Sequence, residues 1–303
     1  MSGRRFAIGL VACLAVSACT GAASSAGPDD SQNDSARLHQ QAQTYLAAFD
    51  AAVKAAGGLP SFIPTSDTTL MVGDDWGPTI DGSAAKLALM GGDFSASITL
   101  PPETPPDGQI RWPDGTTEST GVLSASAAFD DMAANASTCS DCTSSLVVTS
   151  ATLTTATFET SRGPAVAPAW EFGLENTPVK IDKLAVATKT IDVPQIDWDP
   201  NNPPVGMRIE SAQIDATGLK LTADFVGAGN GADKPCGADY TAEAVESDNA
   251  VVVIVYVHNN TTPAFCTLEG HPRSAEVTLA KPLGNRAVLE DQTGQPVPVT
   301  SGS

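Results

Sequence analysis

Apolar residues recur at three- and four-residue steps near the start of the chain: Leu38, Ala42, Tyr45, Leu46, Phe49, Ala52 and Val53. That spacing predicts a helix with one apolar face. Asp34 or Ser35 is placed to cap its start, and Gly57-Gly58 followed by Pro60 to end it. The face is expected to lie on the sheet of the domain that follows. From residue 59 to 122 proline and glycine punctuate the sequence, with short strand-like pieces at 70–72, 86–89, 95–100 and 110–112. Pro113-Asp114-Gly115 marks a turn, because proline pre-sets one dihedral and glycine supplies positive φ. A short helix is expected over 124–134, capped by Ser124.

The clearest β-patterning of the first half follows. Leu146, Val148 and Ser150 alternate with Val147 and Thr149, and 153–158 is threonine-rich, as a half-buried strand should be. Ser161-Arg162-Gly163-Pro164 reads as a hairpin turn, after which 166–174 returns with Trp170 and Phe172 on one face. Another strand is expected at 179–186. Beyond a proline-rich span, six strand candidates fall in under a hundred residues, at 209–214, 219–225, 240–245, 251–257, 275–279 and 287–289. This density predicts a small β-sandwich or Greek-key module. Residues 251–257 are apolar throughout, which predicts a central strand buried on both faces.

These patterns predict a mainly β chain with a minor helical part, an α+β class. An N-terminal α+β domain spans 36–188, a Pro-rich linker 189–205, and a disulfide-bridged β-sandwich-like domain 206–300. Residues 19–35 are small and polar and read as a flexible tether. Residues 1–18 carry Arg4 and Arg5, an apolar run from Phe6 to Val16, and small residues after it. The run is short of the ~20 residues that span a bilayer, so the segment reads as a signal peptide. Val16-Ser17-Ala18-Cys19 resembles the lipobox of bacterial lipoproteins, which implies cleavage before Cys19 and diacylation of its sulfur. Two acyl chains, at ~0.8 kcal/mol per buried methylene, hold a protein at a membrane durably.

Charge narrows the partners. The formal net charge is −19, and loss of Arg4 and Arg5 with the leader takes it to −21. Such a surface is repelled by phosphate backbones, so no nucleic-acid partner is expected. The expected partners are the membrane, through Cys19, and an unknown envelope protein or polymer. Apart from the anchor, the exported part holds Cys139, Cys142, Cys236 and Cys266, an even number that reads as disulfides. Sequence proximity favours Cys139–Cys142 and Cys236–Cys266 among the three pairings.

Candidate chemistry is sparse. Cys139-x-x-Cys142 lacks the βαβ setting of a redox pair, and Cys236 and Cys266 lack the paired spacing of a four-cysteine zinc site. Ser83-Ala84-Ala85-Lys86 and Ser247-Asp248-Asn249 match two motifs of penicillin-recognising acyl-transfer enzymes, but the third is missing, and Ser83 falls where a strand is expected. Asp197-Trp198-Asp199-Pro200-Asn201-Asn202 begins like a calcium loop, then places Asn202 where glycine belongs and Arg208 where glutamate belongs. His39, His258 and His271 stand in no Ser/His/Asp spacing. No catalytic residue, metal site or cofactor is predicted. Trp76, Trp112, Trp170 and Trp198 are the residues that would stack on sugars of a wall polymer, with Trp170 the most core-like.

Three segments carry a family resemblance. Trp112-Pro113-Asp114-Gly115-Thr116, then Thr160-Ser161-Arg162-Gly163-Pro164-Ala165 with Pro168-Ala169-Trp170-Glu171-Phe172, and Pro282-Leu283-Gly284-Asn285-Arg286 are similar to uncharacterised lipoproteins of actinomycetes. The resemblance implies an extracytoplasmic location and this architecture, and no mechanism. The expected function is therefore a membrane-anchored lipoprotein of the cell envelope acting as a non-enzymatic binding module. The alternatives are an envelope enzyme of hydrolase or acyl-transfer type whose site assembles only in the fold, and a passive spacer. A concave pocket with converging ionisable residues would favour the enzyme.

Overall fold

The computed structural model describes residues 28–134, 145–187, 191, 206–267 and 269–302, with side chains from residue 34 onward. The chain is mainly β with a minor helical part, an α+β fold. Its first sheet has seven strands, built around β6 (Ala165–Leu174). β5 (Leu146–Phe158) pairs along one edge of β6, from Val148↔Leu174 to Phe158↔Ala165. The other edge is shared by β7 (Lys180–Leu184) and, at Arg111↔Val166, by β3 (Gly108–Arg111). β1 (Thr69–Val72) lies outside β7, β4 (Thr117–Thr120) outside β3, and β2 (Phe94–Ala96) runs parallel to β5.

Alternation along β6 sorts its side chains. Trp170, Phe172 and Leu174 bury against α2 (Gly82–Met90) and α3 (Ala125–Ala134), with Phe129 edge-on to Phe172 at 6.2 Å. Ala165, Ala167 and Ala169 face the other way, where Phe62, Ile110, Trp112, Phe158 and Leu184 close a second core. The predicted turns form as read: Gly115 has φ +83° with its N–H donating to the Trp112 carbonyl, and Gly163 has φ +84° between β5 and β6. Ser124 caps α3 through the Ala127 N–H, at 3.2 Å.

Residues 86–89 are not a strand. They lie in α2, where the Asp81 carboxylate accepts from the Ser83 and Ala84 N–H groups. Ala85 and Ala88, three apart, are the buried positions, so a helical period is satisfied by methyl groups too small to stand out in the pattern. The piece expected at 95–100 is strand only over β2.

The second half is a sandwich of two four-stranded sheets. One runs β10 (Ala238–Glu246), β11 (Ala250–Asn259), β13 (Ala287–Glu290), β14 (Pro296–Val297). The other runs β12 (His271–Thr278), β9 (Lys220–Gly227), β8 (Ile209–Ile214), β15 (Val299–Ser301). All six predicted strands are present; β14 and β15 are additions. Val251, Val253 and Val255 point between the sheets, and Ala250, Val252 and Ile254 point outward. A strand apolar on both faces needs two covers.

The second cover is α1 (Pro28–Ala56), 29 residues long, whose Leu38, Ala42, Leu46, Phe49 and Val53 pack on β11 and β13. The helix expected on the first sheet therefore belongs to the sandwich. It also begins at Pro28, ahead of Asp34 and Ser35 and within the span read as tether. It ends where predicted, with Gly57 and Gly58 at positive φ and their N–H groups donating to the Lys54 and Val53 carbonyls.

The chain then crosses to the first domain through 59–67. Phe62 buries there and Ile63 buries under α1, while Ser161 N–H donates to the Ile63 carbonyl and Thr65 N–H to the Glu159 carbonyl. Among the described residues no helix is long and apolar enough to cross a membrane.

Candidate functional site

The two halves meet along a cleft of about 740 Å³. One wall is the crossing segment Pro64, Thr65, Ser66 and Asp67; the other is Arg208 to Glu210 at the start of β8 and the turn from Glu290 to Pro298. β13 ends at Glu290, Asp291 follows it, and the turn after them folds back over Glu290. The Glu290 carboxylate accepts from the Gln292 N–H at 2.9 Å, the Thr293 N–H at 2.5 Å and the Thr293 hydroxyl. Its own N–H donates to the Gln295 carbonyl at 3.0 Å. Glu290 is 3% exposed, so this carboxylate closes the turn rather than facing an incoming molecule.

Asp291 is 0% exposed and points the other way, toward α1. Neither carboxyl oxygen has a hydrogen-bond partner among the described residues. Burial pushes this carboxyl up to about 8, with the neighbouring Glu290 charge adding to it and the Gln41 amide opposing, so it holds its proton at neutral pH. The Gln41 Nε2 donates to the Asp291 backbone carbonyl, and the Tyr45 hydroxyl donates to the Gln292 carbonyl at 2.7 Å. Burial, Asp291 and Glu290 together push Tyr45 up to about 12. Gly206 (φ +102°) closes over the acid: a Cβ there would meet Asp291 Oδ2 at 2.5 Å. Around the cleft's rim Ser66, Asp67, Arg208 and Glu210 are exposed and free to meet a ligand.

A second cleft, about 730 Å³, lies at the end of α1. Asp50 Oδ1 accepts from the Ser247 hydroxyl at 3.1 Å and from Asn249 Nδ2 at 2.8 Å. Ser247 Oγ in turn accepts from the Asn249 and Ala250 N–H groups, which makes it a turn-former. Lys281 pairs with Asp248 at 2.7 Å, and the buried Arg286 pairs with Glu246 at 2.7 Å. Burial opposes ionisation of Glu246, but the Ala280 N–H and the Arg286 guanidinium outweigh it and hold the carboxyl below its ordinary range. Here the Ser-Asp-Asn motif pins helix to hairpin.

The remaining sequence candidates are scattered. Ser83 and Lys86 do begin a helix, contrary to the strand expected, but both are exposed and on a different domain from Ser247. Trp76, Trp112 and Trp170 are buried, so none offers a face to a sugar; Trp112 instead carries the Arg162 guanidinium at 4.2 Å and Trp170 Nε1 donates to the Leu123 carbonyl. Trp198 and the acidic loop 197–202 lie outside the described residues, as do Cys19, Cys139, Cys142 and the linker 189–205 apart from Ile191. Cys236 and Cys266 are joined, with Cα atoms 5.5 Å apart.

His39 meets Glu243 at 3.1 Å, His258 meets Thr241 at 2.9 Å, and His271 meets Glu269 at 3.7 Å, three separate places. No group of three or more potential metal ligands occurs among the described residues. No family model, curated protein or solved structure matches this chain. The pair Glu290-Asp291 was missed by sequence reasoning; its one signal was two acids ending the apolar run Ala287-Val288-Leu289.

Proposed function

We propose that the protein is a lipoprotein held at the outer face of the cell membrane through diacylated Cys19, and that it works there as a non-enzymatic binding module. The partner, an envelope protein or polymer, docks in the cleft between the halves. The observation that carries this reading is the cleft's construction: it takes walls from both domains, its one buried acid, Glu290, is committed to its own turn, and its exposed rim offers Ser66, Asp67, Arg208 and Glu210. A rim of mixed polar groups around a sealed floor suits reversible recognition. The lipobox and the resemblance to actinomycete lipoproteins support the location.

A second reading rests on the ionisable residues that line the same cleft, and makes it the site of an envelope hydrolase using Glu290. It requires the turn at 292–293 to open, since those groups occupy the carboxylate.

The test is capture of partners from solubilised envelopes by the acylated protein, with Cys19→Ser as the mislocalised control and Arg208→Glu as the cleft variant. Partners retained by wild type and lost with Arg208→Glu support the reading. The same partners recovered with cytoplasm-trapped Cys19→Ser protein would overturn it. Intact mass of the purified protein reports the two acyl chains directly.

A further inference from the structure

The most exposed large apolar side chain among the described residues is Phe265, which stands fully in solvent. It sits next to Cys266 in the loop between β11 and β12, and the disulfide ties that loop to the one between β9 and β10. The pair is braced further. The Asn260 N–H donates to the Gly237 carbonyl at 2.9 Å, Asn260 Nδ2 to the Ala232 carbonyl at 2.7 Å, and the Tyr240 hydroxyl accepts from the Ala228 N–H at 2.6 Å. An aromatic ring is thus held outward on a cross-linked base. Residues 259–267, Asn-Asn-Thr-Thr-Pro-Ala-Phe-Cys-Thr, contain no charge. The two loops together carry only Asp233, Lys234 and Glu269, a single net negative charge on a strongly acidic protein.

The direction of α1 says what this end faces. Asp50, near the helix C-terminus, meets Ser247 and Asn249 in the β10–β11 turn, while Ser35 meets Tyr256 at 3.4 Å far along β11. The helix therefore runs antiparallel to β11, toward the disulfide loops as it is followed back to its start. From residue 35 to Pro28 the helix rises about 10 Å. The same distance along β11, at ~3.4 Å per residue, leads from Tyr256 to Asn259. The start of α1 is thus level with the strand ends that bear the loops. Cys19 is nine residues earlier, a reach of at most ~30 Å.

We propose that the disulfide-braced loop around Phe265 seats in the interface of the bilayer to which Cys19 is anchored, so that the sandwich stands on the membrane by a lipid and a ring together. This rests on the lipid-anchor reading above. An aromatic ring on an uncharged loop partitions into the headgroup boundary, about 5–10 Å deep, and a second contact orients a protein that one flexible attachment leaves free to tumble. The acidic remainder, repelled by anionic headgroups, would be directed outward.

The test uses the full acylated protein in phosphatidylcholine vesicles. In a Trp198→Phe background, a Phe265→Trp variant is expected to be quenched several-fold more by lipid brominated near the headgroup than the Phe265 parent is, because the remaining Trp76, Trp112 and Trp170 are buried in the other domain. In the wild type, backbone amides of 260–267 are expected to exchange more slowly on vesicles than after the acyl chains are removed. Suppose instead that the diacylated, vesicle-bound Phe265→Trp protein gains only emission that aqueous iodide quenches, and that the wild-type loop amides are unchanged. That result would overturn the seating while leaving the anchor intact. An unmodified Cys19 in the intact mass would overturn both.

Discussion

Among the described residues, Asp291 is the one whose chemistry departs furthest from its ordinary behaviour. Its carboxyl is fully buried against Leu38, Gly206 and the Gln41–Tyr45 stretch of α1, with the Glu290 charge beside it. The folded protein keeps this proton up to about pH 8, whereas an unfolded chain releases it near pH 3.8. Between those values the folded state binds more protons than the unfolded one, so this group's contribution falls as pH rises and levels off above pH 8. Asn has the shape of the neutral acid and cannot ionise. Asp291→Asn is therefore expected to match wild type near pH 4 and to exceed its stability near pH 8, by on the order of a few kcal/mol. Chemical denaturation at the two pH values checks this; equal midpoint shifts at both would show that the carboxyl is not held neutral.

At the scale of elements, α1 is the piece on which the sandwich depends. Phe49 is fully buried between the helix and the outward face of β11 and β13. Phe49→Ala should cost about 3–5 kcal/mol, transfer and cavity terms together. The loss should fall on the sandwich. In a Trp198→Phe background the remaining Trp76, Trp112 and Trp170 report on the first domain, so amide exchange in β11 is expected to quicken at denaturant concentrations where tryptophan emission is unchanged. The Cys236–Cys266 bond closes a loop of 30 residues and contributes roughly 3–4 kcal/mol by restricting the unfolded chain. A Cys236→Ser, Cys266→Ser variant should lose about that much in guanidinium titration, with β12 the first strand to lose exchange protection.

Elements were also where sequence patterning was most and least informative. β11 was legible because the Val-rich apolar run 251–257 fits a doubly covered strand; the structure buries Ala250 to Val255 on both faces and leaves Val257 exposed. The turns at Gly115 and Gly163 were legible because each needs positive φ. α2 was not, because its buried face consists of Ala85 and Ala88, which carry too little hydrophobic contrast to mark a period. β14 and β15 were missed because strands of two and three residues have no period to detect.

For the whole molecule, the decisive fact is that the first helix completes the last domain. The chain lays down α1, leaves through Phe62 and Ile63 to build the seven-stranded sheet, and returns at residue 206 to make the surface that α1 covers. Contacts such as Asp50–Asn249 and Gln41–Asp291 close loops of 199 and 250 residues, which is entropically slow to form. The arrangement also makes a cleft that neither half has alone, because Pro64–Asp67 must pass between them.

By itself the sequence determined local matters: the helical face of 38–53, the glycine turns, the six strands, and the Cys236–Cys266 bond that proximity favoured. Each depends on a repeat or a backbone requirement that a few neighbouring residues express. Only the tertiary structure decided which sheet α1 covers, that Glu290 and Asp291 are both buried, and that α1 runs back toward the end of β11 that bears the Phe265 loop. Those facts depend on residues a hundred or more positions apart meeting in space, and an amphipathic pattern states that a face will be covered without naming what covers it.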